Sequence, residues 1–232
     1  MTLTRVDTQT IQQAIRTLSR FEREELAEWI LNSPTGEVGV EEAAPAYSGR
    51  RNLTVEEYLQ LEEESDVRHE YVAGQIFAMS SPLNRHEMIV ANVFGHFHNQ
   101  LRGTPCRAWS SHAQVRLQVN REDIFYMPDV TIACGPFTEE VKDQQYLTNP
   151  CVVVEVLSAS TEAIDRREKA LNYRQIPSLE EYLVIAQRSM EVTVLRRSEN
   201  WIPRILTAPE EVFESRALEV NIALADIYEG VR

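Results

Sequence analysis

The sequence predicts a mixed α/β domain, in which helices flank a mixed β-sheet, preceded by an N-terminal helical arm. Short apolar segments with the composition and alternation of β-strands recur from residue 70 to residue 206. Amphipathic helical spacing interrupts them twice, once in the middle of the chain and once directly after its most apolar strand. Strands followed by a crossing helix and then by further strands are typical of a mixed sheet covered by helices.

The first 50 residues are expected to lie outside this domain. Residues 8–32 have apolar side chains at roughly helical spacing, which indicates one helix or two short ones. Residues 33–50 are small and polar and rich in Ala, Glu, Pro and Gly, a composition typical of a linker. We therefore divide the chain into a helical arm at 1–32, a linker at 33–50 and a main domain at 51–232.

Helices and a hairpin open the main domain. Capping-box patterns predict one helix at 54–64 and another at 84–101. Between them, residues 70–79 have the pattern of two strand arms about a tight turn at 73–74. The remaining candidates are a helix at 161–174 and strands at 115–119, 124–133, 151–157, 181–187, 191–196 and 201–206.

Composition and cysteine content are those expected of a cytoplasmic protein. The 232 residues suffice for one sizeable domain with an appendage. No apolar run is long enough to span a membrane, and the first residues lack the apolar core of a signal peptide. Cys106, Cys134 and Cys151 have no metal-type spacing and lie in apolar surroundings, which predicts reduced core thiols.

The net charge of −13 argues against non-specific binding of nucleic acid, because such binding draws on basic surface and on counterion release. A local basic groove is still compatible with this total, since the basic residues are unevenly distributed. Two groups of them are Arg102, Arg107 and Arg116 in the middle of the chain, and Arg166, Arg167, Lys169 and Arg174 in its last third.

Two acidic residues interrupt apolar strand candidates. Asp129 lies within 124–133, and Glu155 lies among the valines of 151–157. A carboxylate buried in a strand is costly unless a cation compensates its charge. Because Mg²⁺ prefers oxygen ligands and keeps several waters, two carboxylates on neighbouring strands predict a divalent-metal site. Such a site is typical of a metal-dependent nuclease, in which the ion lowers the pKa of a bound water.

Phosphodiester hydrolysis also needs a cation to stabilise the charge that develops at the phosphate. In strand geometry Glu155 shares a face with Leu157, which cannot supply that cation. The helix that follows carries Asp165, Lys169 and Tyr173 at positions i, i+4 and i+8, which places them on one face. A helix packed back on the Glu155 strand would therefore present Lys169 to the carboxylates.

Ordinary structural roles remain open for several of these residues. The Asp165–Lys169 spacing also matches a surface ion pair, Glu70 could pair with Arg68, and His86 could simply orient the start of its helix. Signatures of other enzyme classes are missing, because the sequence has no glycine-rich phosphate loop, dinucleotide fingerprint, Gly-x-Ser-x-Gly elbow or His-Glu-x-x-His motif.

A set of short motifs between residues 51 and 230 has a known counterpart. Its members are Tyr58 and Leu59, Glu70 and Tyr71 with Gly74, His86 at a helix start, 128–130, 154–158, and Asp165, Lys169 and Tyr173. In order and spacing they resemble the Uma-type family, a domain of unknown function with a restriction-endonuclease-like fold within the PD-(D/E)XK nuclease superfamily. The N-terminal arm lies outside the resemblance.

The resemblance implies a metal-dependent endonuclease that hydrolyses DNA. Asp129, Glu155 and the carbonyl of Val156 would hold Mg²⁺, for which Mn²⁺ can substitute. Lys169 would be the cation at the transition state, with Glu70 as an additional acidic residue near the site. Because a duplex has two strands to cut, the resemblance also implies a homodimer, for which the helical arm is a natural contact.

One departure from the superfamily pattern keeps other functions open. Many of these nucleases have lysine where this chain has Leu157, so activity depends on whether Lys169 reaches the same place. A non-catalytic module of the same fold, used in protein interaction or in holding DNA, is the main alternative. A metal enzyme acting on a small phosphate ester is a third.

Overall fold

A computed structural model describes residues 52–79, 83–111, 113–135, 146–158 and 162–231. The predicted arm at 1–32 and linker at 33–50 lie outside these residues. Within the described ranges, no helix combines the length and the apolar character that crossing a membrane requires.

The first half of the domain alternates helices with strands. Its elements are α1 (Val55–Glu64), β1 (His69–Val72), β2 (Gln75–Ala78), α2 (Asn84–Gln100), β3 (Cys106–Ser110), β4 (Gln114–Val119), β5 (Glu122–Tyr126) and β6 (Val130–Cys134). The second half contains β7 (Tyr146–Leu147), β8 (Pro150–Leu157), β9 (Glu181–Ala186), β10 (Val192–Arg196), a 3₁₀ turn (Arg197–Glu199), β11 (Arg204–Leu206), β12 (Val212–Glu214), β13 (Asn221–Ala223) and a short C-terminal helix (Leu224–Ile227).

Between β8 and β9 lies one helical segment, 162–173, that we call α3. It consists of an α-helical turn at Glu162–Ile164, a π-helical turn at Asp165–Lys169 and an α-helical turn at Ala170–Tyr173. The predicted helix is therefore confirmed, and the π-helical turn is an addition to it. Such turns are rare and often occur at functional sites.

The strands form mixed sheets, which confirms the predicted mixed α/β class. A six-stranded sheet has the order β11-β10-β9-β8-β6-β3, and a five-stranded sheet has the order β2-β1-β5-β4-β7. Strands β8 and β9 pair in parallel, as do β4 and β7, whereas the other pairs are antiparallel. Strands β12 and β13 form a separate two-stranded sheet, so the single sheet expected from the sequence is divided into three.

The predicted strand at 124–133 is wrong as one element. It is two strands, β5 in the five-stranded sheet and β6 in the six-stranded sheet, separated by residues 127–129. Pro128 lies in that break, where its missing N–H group costs no ladder hydrogen bond. As a result, Asp129 is the residue immediately before β6. It lies at the junction between the two sheets rather than inside a strand.

Helix starts agree only in part with the predicted capping boxes. In α1 the box is confirmed, since Glu57 N donates to Thr54 Oγ1 at 3.2 Å and Thr54 N donates to Glu57 Oε2 at 2.8 Å. For α2 the prediction of a side-chain cap is wrong. The N-cap residue there is Leu83, which has no acceptor, and Asn84 already lies inside the helix.

Strand β8 is buried on both faces and separates two apolar clusters. Val152, Val154 and Val156 belong to the cluster that includes α2 side chains, and Val153 and Leu157 belong to the cluster that includes α3 side chains. Because side chains alternate along a strand, Glu155 lies on the face of Val153 and Leu157, as predicted. The fold thus places the Glu155 carboxylate directly beneath α3.

The cysteines differ from their predicted reduced state. Cys106 and Cys134 stand opposite each other on β3 and β6 and form a disulfide, so the prediction is wrong for these two. Cys151 keeps its thiol, with its Sγ 3.5 Å from that of Cys134. The pairing depends on strand register between residues 28 positions apart, which cysteine spacing in the sequence does not reveal.

Candidate active site

The side chain of Lys169 is the centre of a buried ionic cluster. Its Nζ lies 2.8 Å from Glu70 Oε1, 3.1 Å from Asp165 Oδ1 and 3.2 Å from Glu155 Oε1. Lys169 and Glu155 are each only 4% exposed. Three carboxylates around one ammonium group in a dry environment form strong charge-assisted interactions, so the lysine is held in one position.

Three elements that are distant in sequence build this cluster. Glu70 comes from β1, which lies next to the edge strand β2. Glu155 comes from β8, and Asp165 and Lys169 come from the π-helical turn of α3. Glu70 Oε1 also accepts a hydrogen bond from the N–H of Met127 at 3.2 Å. That bond links the five-stranded sheet to the segment that carries Asp129.

Two buried tyrosines hold the partners of Lys169 in place. The hydroxyl of Tyr173 donates to Glu155 Oε1 at 2.9 Å, and the hydroxyl of Tyr182 donates to the backbone carbonyl of Asp165 at 2.9 Å. The second bond satisfies a carbonyl at the π-helical turn, where regular helical pairing is interrupted. Both side chains are fully enclosed, so these bonds are shielded from water.

Asp129 faces the same region from the start of β6. Its Oδ2 accepts a hydrogen bond from the N–H of Val156 at 2.7 Å and lies 3.4 Å from His86 Nε2. The side chain therefore replaces a backbone acceptor at the point where β6 begins alongside β8. It ties Asp129 to the residue that follows Glu155.

The backbone carbonyl of Val156 is directed toward Asp129. Since Val130 pairs with Val154, continuing this antiparallel register would set Asp129 opposite Glu155 and Pro128 opposite Val156. The N–H and C=O of one residue point to the same neighbouring strand, so this carbonyl lies on the side where Asp129 accepts the N–H. Pro128 has no N–H group and cannot satisfy it.

Burial and charge shift the ionisation of the central pair. Burial raises the pKa of the Glu155 carboxyl well above its ordinary value; Lys169 opposes this, and the neighbouring carboxylates add to it. For Lys169, burial alone would lower the pKa, but Asp165, Glu155 and Glu70 outweigh it and hold the pKa well above its ordinary value. Lys169 is therefore protonated at neutral pH.

The donor set suits a hard divalent cation that keeps part of its water shell. Among the described residues, no three His, Cys, Asp or Glu side chains form a complete metal-binding group. The side-chain polar contacts of Asp129 within these ranges engage Oδ2, and those of Glu155 engage Oε1. Asp129 Oδ1, Glu155 Oε2 and the Val156 carbonyl remain as oxygen ligands of the kind that Mg²⁺ takes.

The cluster opens into a cavity of ≈ 650 Å³. Glu70, Asp129, Glu155 and Lys169 lie on its wall together with the backbone of Val156. Apolar residues of β1, β2 and α2, among them Val72, Phe77, Val90 and Phe94, also line the cavity. The charged groups are therefore enclosed in a concave site of the size that binds small ligands.

The sequence-predicted site residues converge. Glu70, Asp129, Glu155, Val156 and Lys169 all line the one cavity. The alternative of a surface ion pair between Asp165 and Lys169 is wrong, because both side chains are buried. The alternative of a pair between Glu70 and Arg68 is also wrong, since Arg68 lies 3.7 Å from Glu62 and Glu70 contacts the lysine.

Sequence reasoning missed several contributors. Tyr182 gave no signal, because a tyrosine in an apolar strand is ordinary core composition. Tyr126 also belongs to the site: its ring lies 5.3 Å from Lys169 Nζ, and its hydroxyl accepts from Asn172 at 2.7 Å. The alternation of β5 could have indicated that Tyr126 faces inward, but not that it meets the lysine.

The sequence of this domain matches a known protein family. Residues 55–225 match the sequence model of a family described as "Uma2: Putative restriction endonuclease". An uncharacterized protein of Synechocystis sp. is 35% identical over 181 residues, which cover 77% of this chain and 93% of the relative. A second uncharacterized Synechocystis protein is 30% identical over 135 residues, covering 58% and 75% of the two chains.

A solved structure shares the fold. The crystal structure of a "putative nuclease belonging to DUF820" from Anabaena variabilis has a TM-score of 0.66 at 16% sequence identity. The match covers 78% of this chain and 99% of that one. The family match spans the domain that carries every residue of the cluster, and on that evidence this chain belongs to the Uma2 family.

Proposed function

We propose that this protein is a Mg²⁺-dependent endonuclease of the restriction-endonuclease-like fold, which hydrolyses phosphodiester bonds in DNA. The observation that carries the proposal is the convergence of Asp129, Glu155 and Lys169 in one cavity from three separate elements. Two carboxylates and a protonated amine are the groups that metal-assisted hydrolysis of a phosphodiester requires.

The metal would be held by Asp129, Glu155 and the carbonyl of Val156. When bound, it would lower the pKa of a coordinated water and neutralise charge on the phosphate. Asp129 and Glu155 would fix the position of that water relative to the diester. The hydrogen bond from Val156 N–H to Asp129 and that from Tyr173 to Glu155 would orient the two carboxylates for this purpose.

In the reaction, the oxygen of water bonds to phosphorus, the ester bond to one sugar oxygen breaks, and a proton moves to that leaving oxygen. The products are a phosphate monoester and a free hydroxyl group. Lys169 is protonated, so its role is to stabilise the negative charge that develops rather than to remove a proton. Glu70 and Asp165 would keep the ammonium group at the required position.

The burial of Leu157 supports a site in which α3, rather than β8, supplies the lysine. It stands two residues after Glu155 but packs in the apolar cluster beneath α3 and is only 3% exposed. Lys169 reaches the same carboxylate from α3 instead, at 3.2 Å. The cation absent from the strand is therefore available from the helix, and the π-helical turn that contains Lys169 is what places it there.

Nicking of circular DNA tests the proposal. Circular single-stranded DNA and supercoiled plasmid would be incubated with Mg²⁺ or Mn²⁺ and the wild-type protein, Glu155→Ala or Lys169→Ala. Glu180→Ala is a suitable control, because the Glu180 side chain is 46% exposed and lies outside the cavity lining. We expect cleavage by the wild type and the control, and its loss in both site variants. Cleavage that survives Glu155→Ala would rule out this site.

A further inference from the structure

We infer that the substrate of this site is an unpaired nucleotide, from a single strand or extruded from a duplex, whose base enters the apolar part of the cavity while its phosphate reaches Lys169. The inference rests on the proposed function and specifies its substrate class. Hydrolysis consumes one water and breaks one phosphorus–oxygen ester bond, as set out above. Four properties of the cavity carry the inference: the burial of its reacting groups, its charge, its apolar lining and its volume.

The reacting groups lie too deep for the backbone of an intact duplex. Asp129 is 7% exposed, and Glu155 and Lys169 are each 4% exposed. The phosphates of a regular duplex lie on the outside of a wide, stiff rod, which binds most readily to open basic surfaces. Enzymes that modify a base in an enclosed pocket meet the same barrier, and they act on single strands or extrude the target nucleotide.

The charge of the cavity also favours an unpaired nucleotide over a duplex. Its described lining contains two cationic side chains, Arg68 and Lys169, and seven carboxylates, which are Asp66, Glu70, Glu87, Asp129, Glu155, Asp165 and Glu168. A duplex brings one negative charge for about every 1.7 Å of its length. Such a lining repels that density of charge, whereas one phosphate accompanied by a divalent cation can be accommodated.

The remaining wall suits a base. Val67, Phe77, Val90 and Phe94 line the cavity together with the carboxylates and give it an apolar part. Phe94 is a partly buried residue of α2, and aromatic side chains of this kind bind unpaired bases by stacking without regard to sequence. Arg68 also lines the cavity, and 45% of its side chain is exposed, so it can contact an adjacent phosphate.

The volume fits one nucleotide. The cavity measures ≈ 650 Å³. Pockets of about 300–1,000 Å³ enclose most of the surface of a drug-sized ligand, a class to which a single nucleotide belongs. A whole duplex, whose major groove alone is about 12 Å wide, is too large for such a space. One flipped or terminal nucleotide therefore fits both the size and the chemistry of the cavity.

Matched oligonucleotides test the substrate class. One labelled strand would be offered to the wild-type protein with Mg²⁺ in three forms: alone, fully paired, and paired except for a central unpaired segment. We expect cleavage of the single strand, and cleavage of the third form within its unpaired segment, at least about tenfold faster than cleavage of the full duplex, because extrusion costs a few kcal/mol. Equal rates on all three forms would overturn the inference.

Small diesters test the base contact. Thymidine 5′-(4-nitrophenyl phosphate) carries a base, whereas methyl 4-nitrophenyl phosphate has the same reacting bond without one. We expect Phe94→Ala to lower kcat/KM for the thymidine ester by about 5- to 150-fold and to leave that for the methyl ester within a few-fold. Phe94→Leu, which keeps apolar volume without the ring, should give an intermediate loss.

A matched control separates the base contact from a loss of structure. Ile205 is an exposed apolar residue, 56% accessible on β11 and outside the cavity lining, so Ile205→Ala should leave both esters unchanged. If Phe94→Ala lowers both esters equally, the base contact is overturned. If no DNA form and neither ester is hydrolysed, the proposed function itself is overturned; if paired and unpaired DNA are cut equally, only this inference is.

Discussion

Lys169 Nζ lies 3.2 Å from Glu155 Oε1, although the two residues are 14 positions apart and belong to a helix and a strand. The contact forms because β8 is followed directly by α3, which packs back on the face of the strand that carries Glu155. The π-helical turn at Asp165–Lys169 directs both of its end residues to the same place. The buried Glu155 carboxylate is thus paired with a cation from α3, because β8 itself provides none.

Replacing Lys169 by Met should lower both activity and stability. The variant leaves the buried carboxylates of Glu70, Glu155 and Asp165 without their cation, and breaking a buried ionic cluster in this way costs about 3–5 kcal/mol. Loss of the transition-state contact should lower kcat by about 10²–10³. Urea denaturation and nicking assays measure the two effects. An unchanged free energy of unfolding would contradict the described burial of the cluster.

Glu155→Gln should abolish stabilisation by divalent cations. In the wild type, Mg²⁺ that binds the folded state alone should raise the Tm, because ligand binding shifts the unfolding equilibrium. The variant keeps the size of the side chain but loses a charged ligand, so its Tm should not respond to Mg²⁺. Scanning calorimetry at several Mg²⁺ concentrations measures this, with Glu180→Gln as an exposed control. A response of the same size in the Glu155 variant would contradict the assignment.

Mg²⁺ affinity should fall as the medium becomes more acidic. Burial raises the pKa of Glu155, so its protonated form persists to a higher pH than that of an ordinary carboxyl group. Below that pKa the ion must displace a proton, and Kd should then rise by up to about tenfold for each pH unit. Above it, Kd should be constant with pH. Titration calorimetry over a pH series measures this, and a Kd independent of pH across the acidic range would contradict it.

Tyr182→Phe should weaken the site without removing any group that touches the substrate. The variant deletes the hydroxyl that donates to the Asp165 carbonyl at 2.9 Å. Loss of a buried hydrogen bond costs about 0.5–1.5 kcal/mol, and the π-helical turn that carries Lys169 should shift. We expect a lower kcat with little change in KM, together with a lower Tm. Tyr228→Phe is a control, since its hydroxyl bonds to Ala186 and Glu191 away from the cavity.

The disulfide between Cys106 and Cys134 should be found in the purified protein. Peptide mapping without reductant should give a linked pair from β3 and β6, with Cys151 available for alkylation once the chain is unfolded. Cys106→Ser should lower the free energy of unfolding by about 2–4 kcal/mol. Cys151→Ser serves as the comparison. Recovery of Cys106 and Cys134 as free thiols from protein kept in air would contradict the pairing.

The placement of the buried charged residues could be predicted from the sequence because the signals were local. Glu155 within a run of valines marks a buried charge, and strand alternation assigns it to the face of Leu157. The spacing of Asp165, Lys169 and Tyr173 places them on one face of a helix. Each inference needs only the regular geometry of one element, and each agrees with the structure.

Features that depend on contacts between elements could not be predicted in this way. The break at Pro128 separates two sheets, yet the apolar run across it has the same pattern as one continuous strand. The disulfide depends on the register of β3 against β6. The contact of Tyr182 with the π-helical turn depends on how α3 crosses the sheet. The sequence of this 12-residue helix contains no pattern that distinguishes a π-helical turn from an α-helical one.

The central claim is that Asp129 and Glu155 hold a divalent cation required for phosphodiester cleavage. Its most direct test is the rate of nicking of circular single-stranded DNA as a function of Mg²⁺ concentration, for the wild type and for Asp129→Asn. We expect a rate that saturates with Mg²⁺ in the wild type and is lost or needs far more Mg²⁺ in the variant. The same Mg²⁺ dependence in both proteins, or cleavage by the wild type in excess chelator, would contradict the claim.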